Sequence, residues 1–208
     1  MTCAGNHQRS TATRTTVDTN MTAHQMAAAY GLLNITFFPR ATEEEVECGS
    51  RSAGLLGAVG LLSAVGLPHS EAFVSRKEVP DPYPEDLDSI TLGSRFGHFG
   101  IPCPPESRTW WALGYLFESL VAVDPRGGRV YGFPEGESAY TELHRDVESL
   151  LFTLLEFRRL EVDHDNDVDP EELSARFKRV VGAFDPTPFA DENSQWNLSL
   201  EELENGIW

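Results

Sequence analysis

Lysine is almost missing from this chain. Of its 16 basic residues 14 are arginine, and only Lys77 and Lys178 are lysine. That skew points to a GC-rich coding sequence rather than to a function. Positive charge as a whole is scarce, with 33 Asp and Glu setting the formal charge at −17. The imbalance is local: residues 1–40 carry Arg9, Arg14 and Arg40 against Asp18, and the remainder carries 13 bases against 32 acids. A field of that sign repels nucleic acid and anionic membrane and attracts a basic protein partner. Plain solubility accounts for acidity equally well. Cysteine is also short. Cys3, Cys48 and Cys103 are odd in number, far apart and without a CxxC. This excludes a secreted disulfide framework, disfavours a structural zinc site and fits a reducing compartment. The longest apolar run, Ala53 to Leu67, is broken by Gly54, Gly57, Gly60 and Gly66 and is too short to span a bilayer. The N-terminus has no basic-then-apolar signal pattern, so a cytoplasmic protein is expected.

Catalytic signatures are missing too. GxxxxGK[ST] and GxSxG do not occur, which removes the P-loop and hydrolase-elbow readings. Gly54, Gly57 and Gly60 are not a dinucleotide fingerprint and suit close helix packing. The six histidines (7, 24, 69, 98, 144 and 164) include no pair at i, i+4. His69-Ser70-Glu71 with Pro102-Cys103 approaches the H-x-E and P-C-x-x-C pattern of zinc deaminases, but Glu106 stands at the second thiolate position. Two soft ligands in place of three leave the metal weakly held. Asp163, Asp165, Asp167 and Asp169 imitate a calcium loop, yet Val168 and Ser174 stand where its turn Gly and bidentate Glu belong. A solvated acidic loop is the better reading.

What is present reads as strands followed by helices. Residues 1–20 are polar and Thr-rich and predict a disordered tail, leaving 21–208 as a single domain. Thr22 to Tyr30 reads as a short helix and Leu32 to Pro39 as a strand. Thr42 and Glu45 form a capping box opening a short helix. Ser52 to Val65 reads as a helix ended by Gly66 and Pro68. Val79 to Asp88 is a loop, and Ser89 to Leu92 a short edge strand. Trp110 to Tyr115 begins the central strands; Leu116 to Val123 pairs with Arg129 to Phe133 through the Asp124–Gly128 turn, where Pro125 suits the fixed-φ corner and Gly127 and Gly128 suit positive φ. Val147, Leu150, Leu151, Leu154 and Leu155 make a helical stripe, repeated by Leu173, Phe177, Val180, Val181 and Phe184 behind an Asp169–Pro170–Glu172 start. Trp196, Leu198, Leu200 and Leu203 are expected to dock on the body. The fold class is α+β, with one mainly antiparallel sheet and helices packed on one side.

Two features invite a binding role. Glu135 and Glu137 share one Pro/Gly loop, a binding edge rather than a catalytic pair, since paired catalytic carboxylates come from separate elements. Trp110-Trp111 on a strand sends one ring to the core and the other outward, where an exposed Trp anchors an interface.

Several segments are similar to those of a known family. Leu62-Ser-Ala-Val-Gly-Leu-Pro68, the hairpin from Leu116 to Phe133, the run from Pro134 through Tyr140 and Leu143 to Leu151, and the closing Trp196 to Trp208 resemble the SUKH superfamily, and within it the fourth immunity group. The resemblance spans about residues 50 to 208. It implies an α+β fold around one sheet and a bacterial, non-enzymatic immunity protein that neutralises a polymorphic toxin, a nuclease or nucleic-acid deaminase. It brings no catalytic residue, cofactor or metal. Glu118, Asp124, Glu135 and Glu137 are the expected charged contacts with a basic toxin domain, with Tyr131, Tyr140 and Trp111 as anchors. The alternative within the same fold is a general scaffold or regulatory adaptor without a cognate toxin.

Overall fold

Ser119 to Val123 is buried at every position, and this follows from its place at the centre of a sheet covered on both faces. The computed structural model describes residues 21–38, 53–75, 91–134 and 137–208. Within them five strands form an antiparallel meander in chain order: β3 (Phe73–Ser75), β4 (Trp111–Leu116), β5 (Ser119–Val123), β6 (Val130–Pro134) and β7 (Thr141–His144). A separate pair joins β1 (Ile35–Thr36) to β2 (Leu67–Pro68). The helices are α1 (Ala23–Tyr30), α2 (Ala53–Ala64), α3 (Leu92–Phe99), α4 (Val147–His164), α5 (Pro170–Phe184) and α6 (Gln195–Glu204).

The architecture is α+β around one antiparallel sheet, as expected. Period-two alternation divides the strands between two cores. Trp111, Leu113, Val121, Val123, Val130 and Leu143 face a main core shared with α1, α2, α4, α5 and α6. Ala112, Leu120, Ala122 and Phe133 face the other way, where α3 contributes Leu92 and Phe96 to a smaller core. This second side is the outer face of the sheet, so helices pack on both faces and not on one as expected, because Leu92 and Phe96 give α3 an apolar side to bury there.

The helical layer follows its sequence signals. All five residues of the Val147–Leu155 stripe are buried. Asp146 caps α4 by accepting from the Ser149 amide, and Asp169 caps α5 by accepting from the Glu172 amide with Pro170 at the first position. Trp196, Leu200 and Leu203 dock fully, whereas Leu198 stays exposed. In α1, Thr22 and Gln25 form a reciprocal capping box, and the Tyr30 hydroxyl donates to the Leu154 carbonyl at 2.5 Å, tying α1 to α4. Gly66 ends the turn after α2 with φ +83°, and a Cβ there would lie 2.2 Å from the Ile35 side chain, so the position demands glycine twice over.

Four further expectations need correction. Leu32 to Pro39 is not one strand: Leu32–Asn34 forms a 3-10 turn and only Ile35–Thr36 is extended, leaving Leu32 and Leu33 exposed. Leu92 is not strand but the start of α3; Thr91 makes one isolated bridge to Trp111 and then caps the helix through the Ser94 amide. Leu116 to Val123 is interrupted, because the chain reverses at Phe117–Glu118 to pair β4 with β5. In the next turn only Gly128 takes positive φ, at +74°. The expected helix near Thr42 and the Val79–Asp88 loop lie outside the described residues.

Candidate functional site

The outer face near the β6–β7 end carries a cluster of aromatic rings that helices leave partly open. Its basis is a row of small side chains. Ala112 on β4 stands opposite Ala122 on β5, and Ala122 opposite Tyr131 on β6. Two alanines leave a shallow trough, and the Trp110 ring crosses it to stack on Tyr131, with centroids 4.3 Å apart and planes 23° from parallel. Tyr140 closes the cluster edge-on, 5.0 Å from Trp110 and 5.5 Å from Tyr131, and Phe133 and Phe96 complete its floor. Such offset and edge contacts favour one fixed arrangement of rings. Trp110 is 6% exposed, while Tyr131 and Tyr140 keep partly accessible faces.

Carboxylates border these rings. The Tyr140 hydroxyl donates to Glu106 at 3.0 Å. Glu142, the strand partner of Tyr131, accepts from Arg129 Nη1 at 2.6 Å. Asp124 stands at the head of the β5–β6 turn, where its carboxylate accepts the Arg126 amide at 2.9 Å. The phenols register this surrounding. Burial pushes the Tyr131 hydroxyl up, the Glu142 charge adds to it and Arg129 opposes. Tyr140 is pushed up by burial, then by its bond to Glu106 and that residue's charge. Both therefore remain neutral donors throughout the physiological range. Beside Glu142 the β7 edge opens on a groove of about 470 Å³ lined also by Thr141, Pro186, Thr187, Ala190 and Asp191.

The structure unites only part of the expected set. Tyr131 and Tyr140 meet in the cluster, and Asp124 lies within electrostatic reach of both. Glu118 is exposed at the other end of β5, about 20 Å along the strand from Asp124 at ~3.3 Å per residue. Glu137 is exposed beyond β6, whose last residue Pro134 pairs with Ser119, so it belongs to the Glu118 end. Glu135 lies outside the described residues. Trp111 is 7% exposed in the main core and Trp110 6% exposed in the outer-face core, so the expectation of an exposed Trp anchor fails for both and only Tyr131 and Tyr140 keep accessible ring surface. Glu106, Arg129 and Glu142 carry no sequence signal: Glu106 comes from the 3-10 turn Pro105–Ser107 and reaches the cluster through the Tyr140 hydroxyl, and Arg129 meets Glu142 only through the β6–β7 register.

A second polar constellation lies deep in the main core. The Trp196 Nε1–H donates to His144 Nε2 at 3.0 Å; His144 Nδ1 is 3.0 Å from Ser149 Oγ; and Ser149 Oγ–H donates to Asp185 Oδ2 at 2.5 Å. Ser, His and Asp together suggest a nucleophilic triad, but the wiring is wrong for one. An indole can only donate, so Nε2 is the acceptor and the neutral ring carries its proton on Nδ1, facing Ser149. The serine proton points to the carboxylate instead of the imidazole, and His144 and Ser149 have no exposed surface. Asp185 also accepts the Arg145 and Thr187 amides. The set clamps β7, α4, α6 and the segment after α5 together.

His69 follows β2 and donates its amide to the Asn34 carbonyl, whereas Cys103 packs at the outer-face core beside Ser107. Among the described residues no group of three His, Cys, Asp or Glu side chains is placed to hold a metal, and no helix is long and apolar enough to cross a membrane.

These features define an α+β protein built on one antiparallel meander, with a structural polar core and an aromatic outer face. The family model described as SUKH-4 immunity protein matches residues 21–202, and the chain belongs to that family. Membership supports an immunity role. No curated protein and no solved structure matches the chain.

Proposed function

We propose that this protein binds and neutralises a polymorphic toxin domain in the bacterial cytoplasm, without catalysis of its own, and that the outer sheet face is the contact surface. The observation that carries the reading is the pair of partly accessible rings Tyr131 and Tyr140, backed by the buried Trp110 and bordered by Glu106, Asp124 and Glu142. Rigid amphipathic rings lose little conformational entropy on binding and recur as interface anchors. Carboxylates around them complement the basic cleft of a nuclease or nucleic-acid deaminase and speed encounter by electrostatic steering. Glu118 and Glu137 extend the acidic border towards the other end of β5 and β6.

The test is protection of cells that express a cognate toxin domain. Double reversal Glu106→Lys/Glu142→Lys should abolish protection, and reversal of Glu135 and Glu137 should weaken it in a salt-dependent way. Full protection by the Glu106→Lys/Glu142→Lys variant would remove this face from the interface.

A further inference from the structure

The outer face already holds one guanidinium. Arg129 reaches across β6 and β7 to Glu142 and also contacts the Tyr131 hydroxyl. Its side chain is 56% exposed and that of Glu142 31%. An ion pair so open to water is held weakly and can exchange partners. Around it carboxylates predominate among the charges that act on the two tyrosines. Glu106 and Glu142 flank the two tyrosines, the Asp124 charge reaches both rings, and Arg129 is the cation bound among them.

We propose that an arginine side chain of the toxin domain seats against the accessible parts of the Tyr131 and Tyr140 rings and takes Glu142 over from Arg129. The identity of the partner rests on the proposed function; the chemistry of the seat does not. Arginine is preferred over lysine for two physical reasons. A planar guanidinium lies flat on a phenol ring and presents two parallel N–H groups to a carboxylate, whereas an ammonium does neither. The occupant the protein supplies for itself is also a guanidinium. Arg129 thus acts as an internal competitor, which keeps Glu142 paired while no partner is bound.

The probe is L-argininamide, titrated into the full chain while the ring resonances of Tyr131 and Tyr140 are followed by NMR, with lysinamide and citrulline amide as controls. Saturable shifts are expected for argininamide, with weaker response to lysinamide and none to the neutral citrulline. Arg129→Gln, which frees Glu142, should lower the half-saturation concentration at least threefold. Glu142→Gln should raise it about tenfold. Tyr140→Leu, which removes a ring without touching the ion pair, should weaken binding as well and guards against a sheet disturbed by the Glu142 change. Equal response to lysinamide, or no tightening in Arg129→Gln, overturns the proposal. Argininamide binding by a protein that neutralises no toxin would sink the functional reading and leave the seat; neutralisation without argininamide binding would do the reverse.

Discussion

The Trp196 indole donates to His144 Nε2 at 3.0 Å, and that contact fixes the tautomer of a fully buried imidazole. Every further bond in the chain to Ser149 and Asp185 has its direction set from this end. Substitution Trp196→Phe keeps most of the ring volume that packs on Phe117, Phe157 and Phe177 but leaves Nε2 without a donor. A buried acceptor left unpaired costs about 1–3 kcal/mol. Urea unfolding should show a loss of that order with an unchanged slope; a midpoint equal to that of the wild type would mean the bond contributes nothing.

The same network makes stability depend on acid. Burial pushes the His144 imidazole down to about 3, against the opposing charge of Asp185. In the unfolded chain the ring titrates near ~6.5. Between these values the unfolded state binds the extra proton, so stability is level above about 6.5 and falls as pH drops towards 3, by up to about 1.4 kcal/mol per pH unit. Asp185 adds to the loss. Burial raises its carboxyl, but the bonds from Ser149, Arg145 and Thr187 outweigh that and hold it below the ordinary range, so its contribution disappears as pH falls through its folded value. The urea midpoint should stay level from pH 8 to 6.5 and drop steadily from 6 to 4. A level midpoint down to pH 4.5 would contradict the account.

Phe117 occupies the reversal between β4 and β5 with φ +49°, a region L-residues avoid. Its ring offsets the cost by packing edge-on against Phe157 and Trp196. Removing the ring therefore separates the two effects. Phe117→Ala and Phe117→Gly both lose the packing, but only glycine relaxes the backbone, worth about 1–2 kcal/mol. Thermal unfolding should rank the glycine variant above the alanine variant, the reverse of the usual order within sheets. Alanine above glycine would show the backbone there to be unstrained.

Much of the helical layer could be read from the chain because its signals are local. The Val147–Leu155 stripe, the Asp169–Pro170 start and the Gly66 stop each act within one or two turns of their own residues. The reversal at Phe117–Glu118 was invisible for the opposite reason: it has none of the Gly, Asn or Asp that mark a tight turn, and a long-range contact to α4 and α6 supports it. Helix α3 carries two glycines and no strong helix-forming run, although Leu92 and Phe96 keep an i, i+4 spacing on one side. The candidate site was half legible. Tyr131 and Tyr140 stood out as aromatic, but the burial of both indoles, Trp111 in the main core and Trp110 in the outer-face core, is set by the fold, and Glu106 and Glu142 join the tyrosines only in the folded protein.

Hydrogen–deuterium exchange of the protein, alone and bound to a toxin domain that it neutralises, tests most directly whether the outer face is the interface. The account predicts slowed exchange at Glu106 to Trp110 and from Arg129 to His144, with the exposed sides of α4 and α5 unchanged. Protection confined to α4, α5 or α6, with exchange from Arg129 to His144 unaltered, would contradict it.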